Sequence, residues 1–140
     1  MKVKIKRIDK SLPLPEYHTP GAVAFDLYSR IDMTILPQAI EKMPTNIIVA
    51  IPSGYVLEIK DRSSAMQKKG LLCTVGYIDQ DYCGDEDEIL LQVYNITNNP
   101  VKIEKGERVG QAVFIKIDTA EWEETDKMAD KSRGGFGTTG

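Results

Sequence analysis

Asp26 is a carboxylate in an otherwise apolar setting. It lies within PGAVAFDLYS, residues 20–29, a segment whose apolar residues predict a strand. An ionised carboxylate in such a strand is costly unless it meets a cation, a metal-bound water or backbone donors. The segment therefore indicates either a functional acid or an aspartate at a strand end that faces solvent.

Asp79 is the second candidate acid, in the segment GYIDQDYCG at 76–84. Apolar Tyr77 and Ile78 lead into polar turn residues, a pattern typical of a β-hairpin tip. A carboxylate held rigidly at such a tip can orient a water and remove its proton. The alternative is an Asx-turn with no catalytic role.

Residues 61–70, DRSSAMQKKG, combine a cation with two hydroxyls. Arg62, Ser63 and Ser64 precede a predicted helical turn at 65–69, which either serine could cap. The backbone N–H groups of a helix start, two hydroxyls and a guanidinium together form an anion site. An ordinary serine-capped turn is the alternative.

A predicted strand at 109–117 carries a glutamine on an apolar face. Strict alternation places Gln111 on the same face as Val109 and the apolar residues that follow, so its amide must find partners. Gly110 beside it allows another backbone or a ligand to approach closely. Arg108 lies at the entrance to this strand. A polar residue near a strand end is the alternative.

The last eight residues, RGGFGTTG, are rich in glycine and carry one aromatic side chain. The glycine amides can turn toward a phosphate, Arg133 adds a fixed charge, and Thr138 and Thr139 add hydroxyls. A base can stack on Phe136. The composition also fits a disordered tail.

The elements that must position these groups are mainly strands. Apolar and polar residues alternate with a period of two along most of the chain, and turn residues bound each run, as at 52–54, 98–100 and 105–107. A helical period is nearly absent. This pattern predicts an all-β fold, a sandwich or barrel, at 1–131, followed by the glycine-rich segment 132–140.

Composition narrows the classes of function. The 140 residues are 41% hydrophobic and 28% charged with a net charge of −3, and no basic block is present, so we expect one soluble domain that does not bind nucleic acid. Two cysteines and one histidine do not form a zinc pattern and suit a reduced, cytoplasmic protein. The first ten residues alternate charged and apolar side chains and no later apolar run is long, so we expect neither a signal peptide nor a membrane-spanning segment.

The order and spacing of these segments point to one family. GYIDQDY, KGERVGQAVF and the terminal RGGFGTTG follow DLYS and DRSS in the same order as the five motifs of the trimeric dUTPases, which this chain resembles. Four features depart from the usual pattern. The second motif lacks the common Pro before Arg62 and the common Gly after the first Ser. Cys73-Thr74-Val75 stands before Gly76, where members often carry extra glycines or an Asn. Cys83 stands where many members have Arg, and the stretch 84–88 is longer and more acidic.

The resemblance implies a jelly-roll-like β-fold that assembles as a homotrimer with shared active sites and hydrolyses dUTP to dUMP and pyrophosphate. It implies that Asp79 activates the attacking water and that Asp26, Arg108 and Thr139 support the site. It also implies Mg²⁺ held by the triphosphate and water, with no direct protein ligand. The substrate-binding positions implied by the family are Arg62, Ser63, Ser64, Gly76, Ile78, Tyr82, Gln111, Arg133, Phe136, Gly137 and Thr138.

Two other readings share some of these motifs. A dCTP deaminase has the same fold and a similar second motif, but it needs a glutamate that activates water at the base and usually carries extra N-terminal elements. A non-catalytic dUTP-binding regulator would not need an intact Asp79, Tyr82 and terminal motif.

Overall fold

Short antiparallel strands dominate this chain because apolar residues alternate along it and turn residues end each run. The structure is a computed structural model that describes residues 1–137. Those residues form one helix and eleven strands, all paired antiparallel. The elements are β1 (Ile5–Arg7), β2 (Phe25–Tyr28), β3 (Met33–Ile35), β4 (Ile40–Pro44), β5 (Ile47–Val49), β6 (Tyr55–Asp61), α1 (Ser63–Lys69), β7 (Leu71–Cys73), β8 (Gly76–Ile78), β9 (Leu90–Asn95), β10 (Val101–Ile103) and β11 (Arg108–Lys116).

The strands form four sheets around one core. A four-stranded sheet has the order β2-β11-β6-β8, and a three-stranded sheet has the order β4-β9-β7. The pairs β1-β5 and β10-β3 complete the set. The core side chains lie on the inner faces of these sheets, and Leu27, Leu57 and Leu91 are fully buried among them. The predicted all-β fold is therefore confirmed.

One β-bulge corrects the predicted face of β11. The register with β2 shifts between Arg108 and Gly110, and Val109 packs in the core with Ala112. The prediction that Val109 shares a face with Gln111 is wrong, because the bulge inserts a residue and reverses the alternation at that point. Gly110 has a packing role, since a Cβ there would lie 2.5 Å from a methyl carbon of Leu91.

Helix α1 has no side-chain cap at its start and a left-handed glycine at its end. Arg62 is the N-cap residue and no side chain caps the first turn, so the predicted serine cap is wrong. Ser63 and Ser64 are instead the first two helical residues. The helix ends at Gly70, whose φ of 65° is left-handed and whose N–H donates to the carbonyl of Met66 at 2.9 Å.

The segment that carries Asp79 is a connection between sheets and not a hairpin. β8 pairs with β6, whereas β9 pairs with β4 and β7. The turn itself is present, because the N–H of Tyr82 donates to the carbonyl of Asp79 at 3.3 Å. Alternation along a strand defines its two faces but not its partner, which explains why the hairpin prediction was wrong.

The last strand ends at Lys116, and residues 117–137 contain neither a helix nor a strand. Every core residue lies before this segment. The boundary between 131 and 132 stays a prediction. Among residues 1–137, no helix is long and apolar enough to cross a membrane.

Candidate active site

A buried carboxylate organises one group of predicted site residues. Asp26 is 6% exposed. Its Oδ1 lies 2.8 Å from Nε of Arg62, and its Oδ2 lies 3.1 Å from Nη1 of Arg108. Two guanidinium groups thus share one carboxylate, so the cluster keeps a net positive charge. Of the two readings of Asp26, the one in which it meets cations is correct.

The sheet brings these side chains together from three strands. Gln111 of β11 is paired with Asp26 of β2 on one side and with Lys60 of β6 on the other. The amide of Gln111 donates to the carbonyl of Asp61 at 2.8 Å, which fixes its orientation. Arg62 follows β6 directly, and its side chain reaches past β11 to Asp26 on β2. We call Asp26, Arg62, Arg108 and Gln111 the cationic cluster.

The serines of the second segment lie beside this cluster. Ser63 is exposed and Ser64 is half-buried at the start of α1. Ser64, Arg62 and Arg108 line one surface depression together with Lys68 and Lys69. Because cations outnumber the single carboxylate of Glu107 in this depression, its field attracts anions.

His18 is a member of the site that the motifs did not identify. Its Nε2 lies 3.0 Å from Oδ2 of Asp26 and 3.0 Å from Nη1 of Arg108. This nitrogen can accept a hydrogen bond from Arg108 or, when protonated, donate one to Asp26. Its place as the only histidine, two residues before the first motif, was the one available signal.

A second group of predicted residues surrounds the turn after β8. Gly76 is paired with Ile59 and Ile78 with Leu57, so both belong to the edge strand of the four-stranded sheet. Asp79 follows and is exposed. Tyr82 is 38% exposed, and its hydroxyl donates to the main-chain carbonyl of Glu88 at 3.0 Å. We call Gly76, Ile78, Asp79 and Tyr82 the turn cluster.

Asp79 of the turn cluster and Arg62 of the cationic cluster lie at opposite ends of β6 in the same chain. Ile78 is paired with Leu57, near the start of that strand, whereas Arg62 follows its last residue. Asp79 therefore lies about six residue rises from Arg62, or roughly 20 Å at about 3.3 Å per residue. One chain does not bring its own Asp79 to its own cationic cluster.

Three predicted site residues of the glycine-rich segment are among the described residues. Arg133, Phe136 and Gly137 are exposed, and Phe136 and Gly137 have positive φ angles of 50° and 88°. Thr138 and Thr139 lie outside the described residues.

The donor groups near the cationic cluster do not form a metal cage. Within residues 1–137, no three His, Cys, Asp or Glu side chains converge as ligands. Both oxygens of Asp26 already face cationic or imidazole groups. Such a donor set fits a Mg²⁺ that phosphate oxygens carry in with part of its water shell, because Mg²⁺ retains waters readily.

The two cysteines differ in their surroundings and form no disulfide with each other. Burial raises the pKa of the Cys73 thiol to about 12, and the charge of Asp61 adds to the shift. Cys83 is exposed in the loop after the turn cluster.

Comparison with known proteins agrees with these features. The dUTPase family model matches residues 10–140. A deoxyuridine 5'-triphosphate nucleotidohydrolase of Dictyoglomus turgidum is 38% identical, with 100% of this chain and 99% of that protein covered. The enzyme of the same name from Finegoldia magna is 39% identical, with 99% of each chain covered.

Solved structures of phage dUTPases share the fold. The Staphylococcus bacteriophage 80alpha dUTPase with dUPNHPP has a TM-score of 0.88 at 24% identity and covers 99% of this chain and 98% of its own. A mutant dUTPase from phage phi11 of S. aureus has a TM-score of 0.81 at 20% identity, with 91% and 98% covered. These matches confirm the jelly-roll-like β-fold. Since the family model spans nearly the whole chain and the full-length relatives exceed 30% identity, this chain belongs to the dUTPase family.

Proposed function

We propose that this chain hydrolyses dUTP to dUMP and pyrophosphate by attack of a water at the α-phosphorus. The observation that carries the proposal is the cationic cluster, in which two guanidiniums and an oriented amide converge at one end of the four-stranded sheet. Phosphoryl chemistry asks mainly for positioning and for neutralisation of charge, and this cluster supplies both.

The cationic cluster would bind the triphosphate. Arg62 is a planar donor that can form paired hydrogen bonds with phosphate oxygens, and Ser63 and Ser64 add hydroxyl donors next to it. Asp26 and Arg108 support Arg62, because their ion pairs restrict where the guanidinium can point. Gln111 would contact phosphate through its amide. Mg²⁺ bound to the phosphates would neutralise charge that develops there during the reaction.

The turn cluster would bind the nucleoside and activate water. Asp79 is exposed at a turn, where its carboxylate can accept a proton from an attacking water. The main chain of Gly76 and Ile78 can pair with the edge of uracil, whereas the amino group of cytosine would set donor against donor. Tyr82 would pack under the deoxyribose and leave no room for a 2′-hydroxyl.

The distance between the clusters supports a shared active site. Because Asp79 and Arg62 of one chain are roughly 20 Å apart along β6, the turn cluster of one subunit must meet the cationic cluster of another. A homotrimer with head-to-tail contacts closes such a set of three sites. The phage 80alpha dUTPase binds dUPNHPP, and the same ligand class is proposed here.

The glycine-rich segment would close over the bound nucleotide. Arg133, Gly137, Thr138 and Thr139 would bind the γ-phosphate, and Phe136 would stack on uracil. Ordering such a segment costs conformational entropy, so closure requires contacts with both ends of the nucleotide.

The two unpaired thiols of Cys73 and Cys83 support a reducing compartment, and we place the enzyme in the cytoplasm.

A nucleotide panel tests this proposal. Purified protein with Mg²⁺ is given dUTP, dCTP, dTTP or UTP, and pyrophosphate, orthophosphate and ammonia are measured. We expect pyrophosphate from dUTP and little product from the other three. Release of orthophosphate would mean attack at the wrong phosphorus, and ammonia from dCTP would identify a deaminase.

A further inference from the structure

The hydroxyl of Tyr82 is tied to a residue six positions later. It donates to the main-chain carbonyl of Glu88 at 3.0 Å. Residues 83–86 between them are exposed. Within it, the N–H of Gly84 donates to the carboxylate of Asp87 at 2.6 Å, and Lys6 pairs with Asp85 at 3.0 Å. Exposed contacts of this kind do not fix a position strongly.

Glu88, by contrast, is buried and its side chain is held by three hydrogen bonds. It is 9% exposed. Its carboxylate accepts hydrogen bonds from Nε and Nη2 of Arg30 at 2.8 and 2.9 Å, a two-pronged ion pair. The same carboxylate accepts the backbone N–H of Asn46 at 2.8 Å. These three hydrogen bonds and the start of β9 two residues later fix the carbonyl of Glu88 against the core.

The Arg30–Glu88 ion pair joins two segments that are 58 positions apart in the sequence. Arg30 follows β2, and its N–H donates to the carbonyl of Pro44 at 2.9 Å. Its side chain is 31% exposed, whereas that of Glu88 is 10% exposed. The carboxylate raises the pKa of Arg30 above its ordinary value. A bidentate pair with one buried partner is geometrically restrictive, because both hydrogen bonds must be satisfied at once.

We propose that the Arg30–Glu88 ion pair is a positioning device for sugar selection: it fixes the carbonyl that holds the Tyr82 hydroxyl, and through it the height of the tyrosine ring. This inference rests on the proposed contact between Tyr82 and deoxyribose. A ring that excludes a 2′-hydroxyl by contact works only while it cannot move aside. Packing alone discriminates only modestly against an added hydroxyl, so this discrimination depends on how rigidly the tyrosine ring is held.

The experiment compares the ratio of kcat/KM for dUTP to kcat/KM for UTP in a set of variants. Tyr82→Phe removes only the hydroxyl. Glu88→Gln keeps the shape but removes the charge and directs an amide N–H toward donors. The double variant combines both changes, and Glu86→Gln is the control, since it removes one carboxylate from the same exposed loop. Thermal unfolding is measured for each protein.

We expect the ratio to fall about three- to tenfold in Tyr82→Phe and in Glu88→Gln, the range that one lost hydrogen bond produces. The double variant should fall no further than either single variant, because both changes break the same link. Glu86→Gln should keep the wild-type ratio. A loss of stability without a change in ratio would be the result of a merely structural pair.

Two results would overturn the inference. One is a Tyr82→Phe protein with the wild-type ratio, and this variant decides the matter even if Glu88→Gln does not fold. The other is an additive double variant, which would mean that Glu88 acts by a route other than the hydroxyl. Tyr82→Ala distinguishes a failure of the ion-pair inference from a failure of the proposed role of Tyr82. An unchanged ratio in Tyr82→Ala contradicts the proposed role of Tyr82 itself. A lowered ratio in Tyr82→Ala together with an unchanged ratio in Tyr82→Phe contradicts only the ion-pair inference.

Discussion

Two variants that are each inactive should restore activity when their subunits are mixed. Asp79→Asn removes the proposed base from the turn cluster, and Arg62→Ala removes a guanidinium from the cationic cluster. The two positions are roughly 20 Å apart along β6 in one chain. If each site joins the turn cluster of one subunit to the cationic cluster of the next, a mixed assembly contains some sites in which both halves are intact.

The size of the restoration follows from counting. In a random equal mixture, about half of the subunits carry an intact Asp79 and the other half carry an intact Arg62. A head-to-tail site takes one half from each of two neighbours, so about one quarter of the sites are complete. The mixture should therefore show about a quarter of the wild-type kcat per site, far above the average of its two parents.

The assay needs oligomers that contain both kinds of subunit. The two variants are co-expressed with different affinity tags, hetero-oligomers are selected on both tags, and pyrophosphate release from dUTP is measured. Every head-to-tail trimer with both kinds of subunit has one complete site in three, so this selection raises the expected activity from about a quarter to about a third of wild type. The control mixes Arg62→Ala with Gln111→Ala, because both residues belong to the same cluster and every site then keeps one defect. Activity of the first mixture no higher than the average of its parents would refute a site shared between subunits.

Three further outcomes are expected. Asp79→Asn should lower kcat for dUTP by about 10²–10⁴-fold while binding of a dUTP analogue is kept, because the amide cannot take a proton; a kcat within a few-fold of wild type would leave Asp79 only a turn residue. Deletion of 132–140 should leave the sedimentation coefficient of the assembly nearly unchanged and lower kcat/KM by about 10²-fold through lost positioning; a near-normal kcat/KM would contradict a lid. Iodoacetamide at pH 8 should modify Cys83 and leave Cys73 protonated and unmodified, since the pKa of Cys73 is raised to about 12; equal labelling by mass spectrometry would contradict this.

The sequence indicated which side chains need a polar partner better than it indicated which residues those partners are. The apolar context of Asp26 indicated that a buried carboxylate there would need a cation, a metal-bound water or backbone donors, and a solvent-facing aspartate was the alternative. The structure buries it between Arg62 and Arg108. Gln111 was likewise predicted to need a partner and finds the carbonyl of Asp61. These predictions hold because the cost of burying a polar group is a local property of the residue and its neighbours in sequence.

Other features depend on distant residues or on local geometry. Arg30 and Glu88 are 58 positions apart, and nothing in either segment specifies the other. The bulge beside Val109 reverses one face of β11 without a distinctive residue pattern. The turn after β8 was taken for a hairpin tip because periodicity is the same whichever strand serves as partner. The proposed separation of the site between subunits follows from strand register, which the sequence does not contain.

The two buried acidic side chains of residues 1–137 are Asp26 and Glu88, and each holds an arginine beside one half of the proposed site. Buried ion pairs contribute little net stability, because desolvation of the charges offsets their attraction. Loss of either acid alone would still be costly, because it would leave the arginines beside it without their counter-charge. Their value is in geometry: Asp26 directs two guanidiniums toward the phosphate depression, and Glu88 fixes the carbonyl that holds Tyr82. A site assembled from two subunits needs each half to be rigid before they meet, since neither half can correct the other's orientation.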